Sequence, residues 1–397
     1  MEQLESAVAS ETRPDDMVQI LDAEGHRHEE PQYGALAAGL DADALRGLYR
    51  DMVLTRAFDN EATALQRKGE LGLWAQCLGQ EAAQIGSAHA LAEQDFVFPS
   101  YREHGVALAR GLDPNQLLPL FRGVKHGGWD PRAHNFHLYT LVVGAHSLHA
   151  VGYAMGVQRD GDVGTGDPAR DRAVMAYFGD GATSQGDVNE AMIFAASNNA
   201  PVVFFCQNNQ WAISVPTSTQ SRVPLVHRGA GFGIPSVRVD GNDALACYAV
   251  TRVALERARS GGGPTFIEAV TFRMGAHTTS DDPTRYRARA DEERWRAKDP
   301  IARLRTYLRD ERLADDAFFT AVDDDATALA ESARAFCHGL SGGPHDEMFD
   351  HVYTADHPLV AEERAARAAY EAGFADQGDQ ADDADDAAAA AREEVAR

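Results

Sequence analysis

Two oxygen-bearing side chains, Asp180 and Asn209, each follow a short apolar run and together predict a metal site. Asp180 lies in a Gly-Asp-Gly turn after the run 173–178, and Asn209 ends the Gln-Asn-Asn segment after the run 201–206. Such short, β-rich runs are typical of buried parallel strands. A helix-like stretch, 187–198, joins them, and β-α-β units hold ligands at the carboxyl ends of their strands. Carboxylate and amide oxygens suit Mg²⁺, which completes its octahedron with phosphate oxygens and water.

The glycines beside Asp180 favour a bound diphosphate. Gly179 and Gly181 let the backbone approach a ligand closely, and free amides at the start of the next helix accept phosphate charge. Taken alone, this segment is also compatible with an ordinary strand-to-helix turn, and Asn209 with an Asx turn. A second doublet, Asn198-Asn199, is rejected because no strand precedes it, and it is typical of a helix end. The two motifs at their particular offset therefore predict a metal–diphosphate site.

Four segments of the chain resemble a known enzyme family. The chain resembles the alpha subunit of the thiamine-diphosphate-dependent first component of 2-oxo acid dehydrogenase complexes of the pyruvate and branched-chain type. The segments occur in the same order as in that family and at nearly the same spacing. Together the segments are highly specific, although none would be alone, and the likeness covers about residues 36–360. The four segments are Pro99–Gly105, Gly179–Asp187, Gln207–Ser214 and Gly275–Pro283.

The resemblance implies that the chain binds thiamine diphosphate through Mg²⁺. In the family pattern, Asp180, Asn209 and the backbone carbonyl of Trp211 would hold the metal ion. Gly181 and Ala182 would lie against the diphosphate.

Three further residues match cofactor contacts of the resembled family. Tyr101 and Arg102 match diphosphate-binding residues, and a hydroxyl donor and a planar guanidinium suit that task. Val143 matches the position beneath the thiazolium ring, where a bulky apolar group would bend the cofactor. Without the resemblance, an arginine at position 102 is more often a member of a surface ion pair, and Val143 is equally compatible with a plain core valine.

His277 is the candidate for general acid–base catalysis. It lies in a polar loop after a predicted strand, and an imidazole can hydrogen-bond a 2-oxo carboxylate or pass protons during acyl transfer. A loop histidine is more often structural, but the surrounding family motif favours catalysis and cofactor contact. Animal relatives carry regulatory phosphoserines in this loop, whose positions here are Thr278 and Ala288, so the same kinase control is not expected. His146, where some relatives carry glutamine, is given no catalytic role.

No glutamate in the chain matches the acid that promotes ylide formation at the aminopyrimidine ring of the cofactor. In the resembled family a beta subunit supplies it, which implies a site at a subunit interface, two alpha with two beta subunits, and an alpha chain that is inactive alone. The predicted reaction decarboxylates a 2-oxo acid and transfers the acyl group to a lipoyl group of a partner acyltransferase. The alternatives are an acetoin-cleaving alpha subunit or a non-catalytic scaffold, whereas the length and the missing glutamate disfavour a transketolase-like enzyme.

Composition restricts the partners and the environment. The 397 residues include 61 acidic and 37 basic side chains, a formal net charge of −24, which argues against binding nucleic acid or an anionic membrane. An acidic surface with almost no lysine suits a salt-rich cytoplasm, so we expect a halophilic source; a GC-rich genome with an acidic tail is the alternative. Four scattered cysteines predict neither a zinc site nor disulfides. We find no signal peptide or long apolar segment and expect a cytoplasmic protein.

The order of predicted elements indicates an α/β fold, with a mostly parallel sheet covered by helices on both faces. This agrees with the thiamine-diphosphate-binding fold that the resemblance implies. A long helix is expected from Asp41 to about Gly69, and further strands at 236–239 and 265–270. We expect a flexible or partner-docking arm over residues 1–35, a cofactor-binding domain over 36–364 and an acidic, disordered tail over 365–397.

Overall fold

A six-stranded parallel sheet forms the centre of the fold in a computed structural model, which describes residues 16–125, 127–341, 347–350 and 352–374. In chain order the strands are β1 (Met17–Val18), β2 (Phe96–Phe98), β3 (Val174–Gly179), β4 (Val202–Asn208), β5 (Trp211–Ala212), β6 (Val215–Pro216), β7 (Ser236–Asp240) and β8 (Thr265–Val270). The sheet has the order β1-β7-β8-β4-β3-β2, and β5 and β6 form a separate antiparallel pair.

Helices connect the strands and cover the sheet. They are α1 (Gly34–Ala38), α2 (Ala42–Arg67), α3 (Glu81–His89), α4 (His104–Ala109), α5 (Leu118–Arg122), α6 (Pro131–His134), α7 (His146–Arg159), α8 (Gly186–Asn198), α9 (Thr217–Gln220), α10 (Val226–Gly231), α11 (Ala244–Arg259), α12 (Arg289–Arg296), α13 (Pro300–Asp310) and α14 (Asp316–Gly339). Short 3₁₀ turns lie at Pro114–Leu117, Asp180–Ser184, Pro283–Arg285 and Glu347–Phe349.

Helix ends follow local sequence signals. The Asp41 carboxylate accepts a hydrogen bond from Ala44 N at 2.8 Å and caps α2, which confirms the predicted long helix. Asn199 ends α8 in the left-handed conformation, with φ of 50°, so the rejected Asn198-Asn199 doublet is indeed a helix terminus.

Side chains on both faces of the sheet are buried. Along β3, Met175 and Tyr177 belong to one apolar cluster, together with residues of α2, α3 and α11. Ala176 and Phe178 point to the opposite face and pack with residues of α7 and α8. Helices therefore cover both faces, and the predicted α/β fold is confirmed. Among the described residues, no helix combines the length and hydrophobicity needed to cross a membrane.

The register of three central strands brings three loops to one edge of the sheet. Gly179 at the end of β3 is paired with Gln207 of β4, and Asn208 of β4 is paired with Val270 at the end of β8. Because all three strands are parallel, the loops that follow them start at neighbouring points, roughly 5 Å apart from strand to strand. The loops that begin with Asp180, Asn209 and Thr271 therefore surround one site.

Residues 16–35, part of the arm that we predicted to be flexible or to dock on a partner, pack against the sheet. β1 adds an edge strand beside β7, with Val18 paired to Val239. Ile20 and Leu21 are fully buried, and their backbone amides both donate to one carboxylate oxygen of Asp243 at 2.7 Å. This stretch therefore belongs to the sheet domain. Residues 1–15 of the predicted arm lie outside the described residues.

A second compact unit begins at Ser341, earlier than the predicted boundary at 364. Within it, residues 358–374 form a helix, α15, so residues 365–374 of the predicted disordered tail are helical. Arg364 and Asp350 form an ion pair of 2.6 Å in this unit. Residues 375–397 of the predicted tail lie outside the described residues.

Candidate active site

A cavity of about 450 Å³ opens at the carboxyl edge of the sheet, and every predicted site residue lines it. These residues come from five separate stretches of the chain. They are Tyr101, Arg102, Val143, Asp180, Gly181, Ala182, Asn209, Trp211 and His277.

Asp180 presents a buried carboxylate at the start of the turn after β3. Its side chain is almost fully buried, and Oδ2 accepts hydrogen bonds from Thr217 Oγ1 at 3.1 Å and from Gln220 Nε2 at 3.0 Å. Burial raises the pKa of this carboxyl above its ordinary value, because water no longer solvates the charge. Both hydrogen-bond donors are neutral, so within the described residues no cationic side chain contacts the carboxylate. A buried carboxylate in this situation is suited to a metal cation.

The other two predicted metal ligands are the side-chain oxygen of Asn209 and the backbone carbonyl oxygen of Trp211. Each accepts one hydrogen bond and can accept a further contact. Asn209 donates from Nδ2 to Gln80 Oε1 at 3.1 Å, and its Oδ1 accepts from Trp211 N at 3.3 Å. The carbonyl oxygen of Trp211 accepts from Arg273 Nη1 at 2.9 Å. Each of these oxygens has a second lone pair. No cluster of three or more His, Cys, Asp or Glu side chains suited to a metal occurs in the described part of the chain, so an ion here would need these amide and carbonyl oxygens.

Gly181 allows the turn after β3 to pack closely on the ribbon after β4. A Cβ atom built on Gly181 would lie 2.8 Å from the Cβ of Ala212, closer than real Cβ contacts come. A side chain at this position would therefore separate the Asp180 turn from the Trp211 segment. Ala182, the next residue, is buried against the apolar cluster that contains α7 and α8.

Two arginines on one wall of the cavity have guanidinium groups that make no direct ion pair among the described residues. Arg102 donates to the carbonyls of Gln76 and His277, and Arg273 donates to those of Trp211 and Ile213. The other contacts of the two guanidinium groups are with the rings of His277 and Tyr101 and with the Tyr286 hydroxyl, and within the described residues neither guanidinium hydrogen-bonds to a carboxylate. Two buried guanidinium groups without acidic partners are suited to hold an anion, such as a diphosphate or a substrate carboxylate.

His277 is held as a neutral imidazole by these arginines. Its Nδ1 lies 3.3 Å from Arg102 Nη2 and 3.3 Å from Arg273 Nη1, so Nδ1 accepts and the proton is on Nε2. Burial, followed by the charges of Arg102 and Arg273, lowers the pKa of His277 to about 3. Asp281 fixes the backbone by accepting from His277 N at 2.8 Å. A neutral imidazole with Nε2–H is a hydrogen-bond donor toward the substrate.

Tyr101 and Val143 complete the predicted set. The Tyr101 ring meets the His277 ring edge to face at 6.4 Å, and the Arg102 guanidinium lies 5.6 Å from its centre. Val143 is 38% exposed, which excludes the plain core valine. Its neighbours Leu141 and Val142 are 60% and 69% exposed, and Ile213 across the cavity is 56% exposed. The rim of the cavity is thus apolar and open.

Several polar residues of the cavity wall were missed by sequence reasoning: Gln80, Glu103, Gln207 and Arg273. Arg273 and Gln207 stand at or just beyond the ends of β8 and β4, so their position at a strand terminus was a usable signal. Gln80 and Glu103 precede helices, and the only signal for Glu103 was its place in the resembled segment Pro99–Gly105.

Glu103 is a buried carboxyl group at the cavity wall. It accepts from Gln207 Nε2 at 2.7 Å and from Ser100 Oγ at 2.8 Å, and burial raises its pKa. Both carboxyl oxygens are therefore engaged within this chain, since Oε1 takes the first bond and Oε2 the second. This is consistent with the prediction that the acid for the aminopyrimidine comes from elsewhere.

Unpartnered polar atoms also indicate a polar ligand. Gln80 Nε2, Gln207 Oε1, His146 Nδ1 and Arg273 Nε are buried and have no hydrogen-bond partner among the described residues, and all four side chains line the cavity. Leaving a buried donor or acceptor unpaired costs about 1–3 kcal/mol, so the wall is built for a ligand with both donors and acceptors. The donor set, the cationic wall and the buried carboxylate together fit a Mg²⁺-bound diphosphate cofactor.

Comparison with known proteins identifies the family of the chain. Residues 49–337 match the family model described as dehydrogenase E1 component. The chain is 44% identical over 357 residues to the 3-methyl-2-oxobutanoate dehydrogenase subunit alpha of Mycobacterium tuberculosis, covering 88% of this chain and 93% of that protein. It is 39% identical over 295 residues to the pyruvate dehydrogenase E1 component subunit alpha of Staphylococcus epidermidis, covering 74% and 76%. The Staphylococcus aureus counterpart is 38% identical over 322 residues, covering 81% and 82%.

Proposed function

The chain belongs to the dehydrogenase E1 component family, and from this we propose that it is the alpha subunit of a 2-oxo acid dehydrogenase that binds thiamine diphosphate and Mg²⁺. The observation that carries the proposal is the convergence of nine predicted residues, from five stretches, on one cavity. When bound, thiamine diphosphate supplies a nucleophilic thiazolium carbon and an electron sink for loss of the substrate carboxyl group as CO₂.

The acidic and amide side of the cavity would hold the metal ion. Asp180, Asn209 and the Trp211 carbonyl are the proposed ligands, with the turn at Gly181 and Ala182 against the diphosphate. The buried carboxylate of Asp180, whose hydrogen-bond donors Thr217 and Gln220 are both neutral, supports this assignment. Arg102 and Tyr101 would bind diphosphate oxygens on the cationic side.

His277 would orient the substrate and hold a proton at Nε2. Because Arg102 and Arg273 occupy Nδ1, only Nε2–H is available to donate to a substrate carboxylate or a developing oxyanion. The approach of an anion would offset the two arginine charges and raise the pKa of the ring, which makes proton transfer at Nε2 easier. Val143 at the exposed rim remains the proposed support for the thiazolium ring.

A beta subunit is the proposed partner at the cavity. Leu141, Val142 and Ile213 expose large apolar side chains around the opening, as is typical of a surface covered by another subunit. We propose an assembly of two alpha and two beta subunits, with the acyl group passed to a lipoyl group of an acyltransferase. The substrate is a 2-oxo acid, and the 44% identity to a branched-chain enzyme makes 3-methyl-2-oxobutanoate the first one to test.

The alternatives are less well supported. The relatives named above are branched-chain and pyruvate dehydrogenase subunits, and neither acetoin cleavage nor a scaffold role is favoured by them. The net charge of −24 supports a salt-rich cytoplasm as the working environment.

The test is a calorimetric titration of thiamine diphosphate into the co-expressed alpha and beta subunits. We expect saturable binding that requires Mg²⁺ and a loss of at least 100-fold in affinity in Asp180→Asn, since a charged ligand of the metal is removed. Asp187→Asn is the matched control, because Asp187 lies in the same loop region at the start of α8 without lining the cavity. Wild-type affinity in Asp180→Asn would overturn the ligand assignment, and absence of binding in the wild type would overturn the proposed function.

A further inference from the structure

Asp180 receives two hydrogen bonds from one short helix, and both reach the same carboxylate oxygen. Thr217 and Gln220 are the first and last residues of α9, so their spacing of three puts both side chains on one helical face. Thr217 Oγ1 lies 3.1 Å and Gln220 Nε2 lies 3.0 Å from Oδ2 of Asp180. Because an ionised carboxylate oxygen has about two lone-pair sites, Oδ2 is fully engaged by α9.

Contacts around the Gln220 side chain determine which end of its amide faces Asp180. The Ser184 hydroxyl donates to Oε1 of Gln220 at 3.4 Å. Nε2 points the other way, to Oδ2 of Asp180 and to the carbonyl oxygen of Val215 at 3.5 Å. Both of these partners can only accept, so the opposite orientation of the amide would place an oxygen against two oxygens. Gln220 is therefore a fixed donor to the carboxylate.

The single proton of the Thr217 hydroxyl has two possible acceptors. Oγ1 lies 3.1 Å from Oδ2 of Asp180 and 3.1 Å from Oδ1 of Asn208. The Asn208 amide is already oriented by Glu268, which accepts from Nδ2 at 2.6 Å, and by Gln210 N, which donates to Oδ1 at 3.1 Å. The carboxylate is the stronger acceptor because it is charged, so the Thr217 proton is donated to Asp180.

The other carboxylate oxygen, Oδ1, is left for the cavity. Asp180 lines the cavity whereas Thr217 and Gln220 do not, so α9 holds Oδ2 on the far side of the carboxylate. No other described residue donates to Oδ1, and the backbone amide of Asp180 itself can occupy only one lone pair. An ion in the cavity would therefore meet one oxygen of Asp180 rather than two.

Metal ions differ in how they use a carboxylate. Mg²⁺ demands near-ideal octahedral geometry, whereas Ca²⁺ takes more oxygens in a flexible arrangement and can use both oxygens of one carboxylate. We propose that Thr217 and Gln220 are positioning residues that restrict Asp180 to one oxygen and thereby favour Mg²⁺ over Ca²⁺ at the cofactor site. The proposal rests on the proposed function.

The test measures ion selectivity rather than activity. Mg²⁺ and Ca²⁺ are each titrated by calorimetry, with excess thiamine diphosphate, into the metal-free assembly of co-expressed alpha and beta subunits. The variants are Thr217→Val, Gln220→Leu and the double variant, with Thr217→Ser as the conservative substitution. Thr219→Val is the matched control, since Thr219 is exposed on the same helix and makes no hydrogen bond to Asp180. The quantity compared is the ratio of Mg²⁺ to Ca²⁺ affinity within each protein.

We expect the double variant to lower this ratio roughly tenfold, because the freed Oδ2 can join Oδ1 on Ca²⁺ but adds nothing to an octahedral Mg²⁺. Thr217→Ser and Thr219→Val should keep the wild-type ratio. An unchanged ratio in the double variant, or an equal fall in Thr219→Val, would overturn the proposal while leaving the proposed function intact. Absence of metal-dependent cofactor binding in the wild type would instead count against the proposed function.

A structure of the wild-type assembly with Mg²⁺ and cofactor decides the matter if the double variant fails to assemble. An ion at about 2.1 Å from Oδ1, with Oδ2 still bonded to Thr217 and Gln220, supports the proposal. An ion held by both oxygens of Asp180, or by Oδ2 alone, refutes it.

Discussion

Nη1 of Arg273 lies 3.3 Å from Nδ1 of His277, four residues further along the chain. The same atom donates to the carbonyl oxygen of Trp211, so one buried guanidinium joins the loop after β8 to the ribbon after β4. Its Nη2 donates to the carbonyl of Ile213 and to the Tyr286 hydroxyl. Arg273 therefore couples the position of His277, the candidate acid–base residue, to that of the candidate metal loop. No sequence motif had predicted this role for Arg273.

Replacing Arg273 by Gln should raise the pKa of His277. The ring loses a neighbouring positive charge that lowers its pKa to about 3, although burial and Arg102 continue to lower it. Between that value and about 6.5 the unfolded chain binds a proton that the native histidine does not, so native stability falls as pH falls through this window. Because the native pKa of His277 is higher in the variant, the pH window between the native and unfolded pKa values is narrower. The free energy of unfolding should therefore fall less as the pH is lowered through it. NMR titration of His277 measures the pKa.

Arg289→Gln is the control for that titration. Arg289 is exposed and pairs with Glu293 within α12, so its loss should leave the pKa of His277 unchanged. If Arg273→Gln also left it unchanged, the electrostatic coupling described above would be incorrect.

Gly181→Ala should weaken binding of the Mg²⁺ cofactor at least tenfold. The new methyl group would meet the Cβ of Ala212 at 2.8 Å and push the Asp180 turn away from the Trp211 segment, and such overpacking costs about 1–3 kcal/mol. Calorimetry with the co-expressed subunits measures the loss. Gly186→Ala is the matched control, since a Cβ there meets nothing within 4 Å, and its affinity should stay within about twofold of wild type. Equal affinities in the two variants would show that close approach at Gly181 is not needed.

Asp243→Asn should release the N-terminal stretch from the sheet. One carboxylate oxygen of Asp243 accepts from Ile20 N and Leu21 N, and the other caps α11 by accepting from Leu245 N and Ala246 N. An amide group replaces one acceptor by a donor, which leaves backbone amides unpaired at a cost of about 2–3 kcal/mol. Urea unfolding measures the free energy, and limited proteolysis should cut within residues 16–35.

Asp41→Asn is the comparison for Asp243. The Asp41 carboxylate makes a single capping bond to Ala44 N, and asparagine caps helices about as well as aspartate. If both variants lost the same free energy of unfolding, the bonds from Asp243 to Ile20 N and Leu21 N would contribute no more to stability than a single helix cap.

Salt should stabilise the protein strongly. With a net charge of −24, repulsion among acidic side chains disfavours the compact state, and screening relieves it. Raising the KCl concentration should increase the midpoint temperature of unfolding, and most of the increase should occur below about 1 M KCl. At about 1 M the screening length has already fallen to about 3 Å, so further salt screens little more charge. A midpoint that is independent of salt in this range would argue against a surface adapted to a salt-rich cytoplasm.

Sequence reasoning predicted which residues meet in the cavity where chemistry and secondary structure coincide. Asp180 and Asn209 were recognisable because each ends a continuous apolar strand, and parallel strands bring such ends to one edge. It failed where position depends on tertiary contacts. Gln80 and Glu103 line the cavity from positions just before α3 and α4, and although Glu103 belongs to the resembled segment Pro99–Gly105, no argument from residue type and spacing gave either residue a role.

The termini show a second kind of failure. β1 has two residues, too few for any alternation of apolar and polar side chains, so the stretch 16–35 resembled an unstructured arm. Its place in the sheet depends on Asp243, more than 200 residues away. Helix α15 was missed because its alanine- and charge-rich composition is shared by helices and by disordered segments.

The short strand β1 determines where the polypeptide can be truncated. The matched family region starts at residue 49, and a fragment cut there would lack the two residues that pair with β7. Arg238 and Val239 would then present unpaired backbone groups at an open sheet margin, where a second molecule can add its own strand. We expect such a fragment to self-associate, and poor solubility would then reflect the exposed strand rather than a property of the intact chain.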